Sequence, residues 1–184
     1  IGHNVTLYGR NSSANMKQFL ETRKNDYLSL PESIHLTTDY ESIAAADVIV
    51  ISVGSQVLYQ IADELKKRAV CNKTIVLCMK GIEIETGRRL TQVMDDTVDH
   101  SNKLAVWLGP GHVQEFYRGI PNCMVIDSND EFVKADLVKS FSSDLIRFYY
   151  GTDLIGSEIG GAAKNVIGIA AGMLDGLDMA SLKG

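Results

Sequence analysis

Residues 47–81 read DVIVISVGSQVLYQIADELKKRAVCNKTIVLCMKG, and this stretch decides the fold. Two runs, 47–53 and 74–79, are apolar almost throughout, with no alternation of polar and apolar positions. Between them, 55–68 places Leu58, Ile61, Ala62 and Leu65 at the spacing of one helical face. A strand that is apolar at nearly every position is buried on both sides, and two such strands joined by a helix lie parallel. The unit is therefore a crossover at the heart of an α/β sheet.

The same alternation runs outward in both directions. Upstream come a strand at 5–8, a helix at 12–25, a strand at 34–36 and a short helix at 41–45. Downstream, helices at 86–98, 112–118 and 131–141 alternate with strands at 104–108, 122–126 and 145–150. The expectation is a doubly wound, mostly parallel sheet over 1–151, followed by one long helix at 152–177. The chain opens directly on a strand at 5–8 and stops soon after the long helix, at Ser181–Gly184. A preceding strand with its turn is expected upstream and more helical chain downstream, so the sequence reads as a piece of a longer protein.

With 184 residues, 45% apolar and 22% charged, the chain suffices for one globular domain and the start of a second. Eighteen basic and 23 acidic residues give a net charge of -5, which argues against nucleic acid or an anionic membrane as main partner. Cys71, Cys78 and Cys123 form no CxxC pair and read as small core residues of a reducing compartment. Cytoplasmic residence is expected, with neither signal peptide nor lipidation motif visible. The four charges Asp153, Glu158, Lys164 and Asp175 interrupt the apolar run of the last helix too often for a membrane span.

Ligands of doubly wound sheets bind beyond the carboxyl ends of the strands. At those ends stand Arg10, suited to a 2′-phosphate or simply a solvated loop cation, and the small-residue turn Gly54-Ser55-Gln56. Next come Lys80-Gly81 and then Gly109-Pro110-Gly111-His112, which leads into a helix whose free N–H groups can hold an anion. His112 is either a base or a surface group, and His3, His35 and His100 have no metal-ligand spacing, so no metal is expected. The long helix carries Gly156, Gly160, Gly161, Gly168 and Gly172, each costing about 0.5–1 kcal/mol relative to alanine. Close approach of another backbone or a ligand is the expected reason. Lys164 then sits in a crowded niche where burial disfavours an amine's charged form, or else it snorkels to solvent.

Taken as a set, LYGR at 7–10, VGSQ at 53–56, CMKGIE at 78–83, LGP at 108–110 and GSEIGGAAKNVI at 156–167 closely resemble the bacterial NAD(P)-dependent glycerol-3-phosphate dehydrogenases over nearly the whole length. The resemblance implies a Rossmann domain at 1–151 and the start of a helical substrate domain at 152–184. It further implies NADP or NAD as cofactor and a small-molecule substrate, glycerol 3-phosphate or dihydroxyacetone phosphate. A homodimer is implied for the full-length protein. By that resemblance Lys164 is the catalytic base, and Lys80, Gly109, Gly111 and Lys164 hold substrate. Arg10, Ser55, Lys80 and Val113 hold cofactor, and Glu158 and Asn165 orient Lys164.

The sequence departs from the family pattern in two places. Gly111 stands where a serine is usual, leaving only a backbone donor, and Gly54 replaces a common proline. The glycine-rich turn and the arginine-asparagine motif of the family fall outside residues 1–184. Another lysine-using hydroxyacid or sugar-acid dehydrogenase, or a non-catalytic nucleotide-binding piece, is the alternative.

Overall fold

The computed structural model describes residues 2–111 and 113–177, and the side chains of Val113 and Tyr117 lie outside that description. So do His112 and Ser181–Gly184. In chain order the elements are β1 (Val5–Tyr8), α1 (Ala14–Thr22), β2 (Ile34–Thr37), α2 (Glu41–Ala44) and β3 (Val48–Ile51). A 3-10 turn at Ser55–Val57 leads into α3 (Leu58–Lys67), β4 (Thr74–Leu77), α4 (Leu90–Asp95) and β5 (Lys103–Leu108). Then follow α5 (Val113–Tyr117), β6 (Asn122–Asp127), α6 (Glu131–Phe141), β7 (Ile146–Tyr150) and α7 (Leu154–Gly176).

Five strands form one sheet in the order β3-β4-β5-β6-β7. All its pairs are parallel except β5 with β6, which run antiparallel with Leu108 opposite Val125. Ile75, Val76 and Leu77 of β4 are each 0% exposed, and successive side chains of a strand point to opposite faces. Ile75 and Leu77 accordingly join Ile49, Ile51, Leu58, Leu65 and Met94 in one core, while Val76 joins Ala105, Ile126, Leu137 and Phe148 in the other. Helices cover both faces, so the fold is the doubly wound, Rossmann-type arrangement expected.

The local chemistry of the helices is legible residue by residue. In α3 the buried Leu58, Ala62 and Leu65 form the inward stripe, each large side chain worth about 1.5–3 kcal/mol of burial. On its outer side Lys67 pairs with Asp63 one turn earlier. Ser13, Asp130 and Asp153 cap α1, α6 and α7 by accepting backbone N–H bonds, as small polar N-caps do.

Four expectations need correction. The helix expected at 86–98 shortens to α4, because the Glu83 carboxylate accepts from the Glu85 and Thr86 amides and Gly87 takes a φ of +68°. That makes 83–89 a closed loop. Secondly, β1 and β2 pair parallel with each other but not with the large sheet, and among the described residues neither β1 nor β3 has a second strand beside it. Val5 and Val50 are left 47% and 45% exposed. Thirdly, Cys71 and Cys123 are exposed; only Cys78 is half-buried, and burial pushes its thiol up to about 11. Finally, α7 is not enclosed: Leu154 and Glu158 are its buried residues, and Val166, Ile167 and Ile169 are 61–69% exposed. Among the described residues, a Cβ on Gly160, Gly168 or Gly172 meets nothing within 4 Å.

Candidate active site

The first turns of α7 lie across the carboxyl end of β5, and there Gly161 faces Leu108 and the stem of Lys80, a Cβ at that position falling 3.5 and 3.7 Å from them. Beside this contact an open hollow of about 410 Å³ is lined by Lys80, Leu108, Gly109, Pro110, Gly111, Val125, Ser157, Gly161 and Lys164. Lys80 comes from the end of β4, Gly109 to Gly111 from the end of β5, and Ser157, Gly161 and Lys164 from α7. Two cations remote in sequence thus share one concavity at the strand ends.

Their environments differ. The Lys80 ammonium donates to the Gly109 carbonyl at 2.7 Å. Burial holds its pKa below the usual lysine range, and the nearby positive charge of Lys164 lowers it further. The crowded niche expected around Lys164 is therefore found around Lys80. Lys164 is exposed, as are the other residues of the outer half of α7 among the described residues. Its Nζ donates to Asn165 Oδ1 at 2.9 Å.

Among the described residues the Glu158 carboxylate makes no hydrogen bond to Lys164. One carboxylate oxygen accepts from the Thr91 amide at 2.9 Å, and the other from Thr91 Oγ1 at 2.6 Å and from the Arg89 guanidinium. These groups belong to the N-terminal turn of α4, where a carboxylate satisfies a free amide and the helix dipole. Glu158 therefore fastens α7 to α4.

The backbone of the β5 end is fixed by packing. Gly109 has φ +154°, and a Cβ there would meet Met124 Cα at 3.0 Å, so only glycine lets this turn pass β6. Gly111 donates its amide to Gly109 O at 3.2 Å; the donor expected to remain for a ligand is already engaged. Around the 3-10 turn, Gly54 has φ -61°, the value a proline fixes, so the turn keeps the geometry of the residue it lacks. Gln56 bridges Ser55 Oγ, the Ile82 carbonyl and the Ile84 amide, which ties this turn to the chain after Lys80.

Arg10 lies beyond the end of β1, exposed, with no hydrogen bond or ion pair to its guanidinium among the described residues. At Gly54 the backbone is open, a Cβ there meeting nothing within 4 Å. Sequence reading passed over Ser157, Arg89, Thr91 and Asp127. Nothing in their spacing signals their contacts. Among the described residues no group of three or more His, Cys, Asp or Glu side chains is placed to hold a metal, and no helix is long and apolar enough to cross a membrane.

A doubly wound sheet with a two-lysine hollow at its strand ends defines a Rossmann-type nucleotide-fold protein in which a long helix begins a second, helical part. Residues 1–134 match the model of the NAD-dependent glycerol-3-phosphate dehydrogenase N-terminus and residues 153–182 that of its C-terminus. The chain belongs to the NAD-dependent glycerol-3-phosphate dehydrogenase family. It is 34% identical over 181 residues to glycerol-3-phosphate dehydrogenase [NAD(P)+] of Thermoanaerobacter sp., covering 96% of this chain and 54% of that one. Identity to the protein of the same description from Bradyrhizobium sp. is 36% over 181 residues, with 97% and 55% covered. The crystal structure of glycerol-3-phosphate dehydrogenase from Coxiella burnetii superimposes with a TM-score of 0.85 at 24% identity, over 97% of this chain and 55% of that one. The chain spans about half the length of the relatives it matches.

Proposed function

We propose that the full-length protein is an NAD(P)-dependent oxidoreductase interconverting sn-glycerol 3-phosphate and dihydroxyacetone phosphate. The observation that carries this reading is the shared hollow of Lys80 and Lys164 in a chain of this family. In this proposal residues 1–151 hold the nucleotide, through Arg10, Ser55, Lys80 and Val113, and residues from 152 onward begin the substrate domain. The bound cofactor supplies or takes a hydride at its nicotinamide C4. Lys164 gives its proton to the carbonyl oxygen as the ketone is reduced and takes the hydroxyl proton on oxidation. Asn165 holds the Lys164 amine by its side-chain carbonyl. Lys80 turns positive charge towards the phosphate ester, and Gly109 and Gly111 line the same wall with backbone alone.

Purified full-length protein is expected to oxidise NADH or NADPH when dihydroxyacetone phosphate is added, read as loss of reduced-nicotinamide absorbance. No oxidation with either cofactor would overturn the proposal. Arg10 decides between them: a hydrogen bond to a charged group is worth about 1.5–3 kcal/mol, so Arg10→Ala should raise KM for NADPH about 10-fold or more and that for NADH far less. Equal losses for both would remove Arg10 from the 2′-phosphate contact. The proposal extends, on the family resemblance, to a cytoplasmic homodimer; a monomer in sedimentation of the full-length protein would count against that part.

A further inference from the structure

Of the nine described residues lining the hollow, three carry polar side chains: Lys80, Lys164 and Ser157. The ammonium groups only donate. Among the described residues Ser157 is thus the one side-chain acceptor in the wall while both lysines carry their protons, and its surroundings fix which way its hydroxyl points. Ser157 is half-buried in the first turns of α7, and its Oγ donates to Asp127 Oδ2 at 2.7 Å.

Asp127 ends β6 and is 1% exposed. Its other oxygen accepts from the Ser128 amide at 2.9 Å and faces the ammonium of Lys134 at 4.0 Å. Lys134, 4% exposed, also donates to the Gly151 carbonyl and to Glu131, each at 2.7 Å. Gly151 closes the space above the carboxylate, since a Cβ there would lie 2.2 Å from Asp127 Cγ. An ionised carboxylate has no hydrogen to give, so the bond between the two side chains runs from serine to aspartate. The serine hydrogen is committed inward, and the bond to a charge polarises the oxygen lone pairs left for the hollow.

We propose that Ser157 accepts a hydrogen bond from a hydroxyl of the substrate, with Asp127 as the positioning residue that keeps Ser157 an acceptor. The inference rests on the glycerol-phosphate reading above and deepens it. Dihydroxyacetone phosphate carries, beside its carbonyl, a free hydroxymethyl group that must find an acceptor once water is displaced. Ser157 therefore sets specificity for the hydroxylated three-carbon phosphate over the same ketone phosphate with methyl in place of hydroxymethyl.

The test measures kcat/KM of the full-length protein for both ketones. Ser157→Ala should lower kcat/KM for dihydroxyacetone phosphate about 10-fold, the upper range of one hydrogen bond, and leave the methyl analogue within about 2-fold. The preference then collapses. Ser157→Thr, which retains the hydroxyl, should keep it. Asp127→Asn places an amide donor against Oγ and turns the serine hydrogen towards the hollow, so the preference should fall with Ser157 still present. A general structural defect would lower both ketones together. If Ser157→Ala keeps the wild-type preference, the Ser157 proposal is overturned while the function stands. If the wild-type protein reduces neither ketone, both are overturned.

Discussion

Replacing Lys164 by alanine in the full-length protein is expected to lower kcat by about 10²–10⁴-fold, the range a positioned acid-base group contributes, with the melting temperature nearly unchanged. The two halves of this expectation have separate causes. Among the described residues Lys164 is exposed and its side chain holds only Asn165 Oδ1, so within residues 1–184 truncation removes little packing and should stay within about 0.5 kcal/mol, as for other surface positions. Its amine nevertheless overlooks the same hollow as Lys80, where a proton must be given or taken whenever the substrate oxygen changes between carbonyl and hydroxyl. Lys164→Arg separates charge from proton transfer, because a guanidinium keeps its proton at any ordinary pH. If proton exchange is the role, arginine should be nearly as inactive as alanine. If positive charge alone matters, arginine should recover much of the rate. Lys80 supplies a further readout. Loss of the neighbouring positive charge lets the Lys80 pKa rise, since like charges disfavour ionisation, so substrate binding that depends on Lys80 should persist to higher pH in the alanine variant. Near-normal turnover by Lys164→Ala would exclude this lysine from the chemistry.

How far the sequence discloses the molecule depends on the range of the interaction concerned. The crossover of β3, α3 and β4 was legible because β4 is buried on both faces, which forces an unbroken apolar run, and because Leu58, Ala62 and Leu65 repeat at helical spacing. Caps such as Asp130 and Asp153 are similarly local. The hollow was legible only in part: the residues at the strand ends follow from the fold, whereas the meeting of Lys80 with Lys164 came from a resemblance and not from any pattern in the chain. Contacts between distant, ordinary polar residues left no trace. Glu158 is one carboxylate on a helix, and nothing in its neighbours distinguishes a partner of Arg89 and Thr91 from a partner of Lys164. Ser157 and Asp127 meet across separate elements in the same way. Burial was misjudged wherever it depended on what lies opposite an element: small residues on α7 permit close approach but do not supply the partner, and Cys123 is exposed on β6 although Met124, Val125 and Ile126 after it are apolar.

Removing the Glu158 carboxylate is the second large effect expected. Breaking one partner of a buried ion pair costs about 3–5 kcal/mol, because the remaining charge loses its compensation. Glu158 and Arg89 have side chains only 4% and 17% exposed, so solvent does little to replace the lost bonds. Glu158→Ala also strands Thr91, whose amide and hydroxyl both point at that carboxylate. The loss falls on one place. Leu154 and Glu158 are the buried residues of α7, so once Glu158 is gone the helix rests on the large domain chiefly through Leu154, the bond from Ser157 to Asp127 and the approach of Gly161 to Leu108 and Lys80. Detachment of α7 should then precede global unfolding, as expected for a segment with few buried contacts. Hydrogen exchange of the first turns of α7 should accelerate strongly, while β4 amides, enclosed on both faces, change least. Because Lys164 rides on the same helix, turnover should fall together with that protection. Glu158→Gln preserves shape and an acceptor for the Thr91 amide but not the charge facing Arg89, and should lie between wild type and alanine in both readouts. Unaltered α7 protection in Glu158→Ala would mean that the carboxylate is not what fastens the helix, and that the placement of Lys164 over the hollow has another cause.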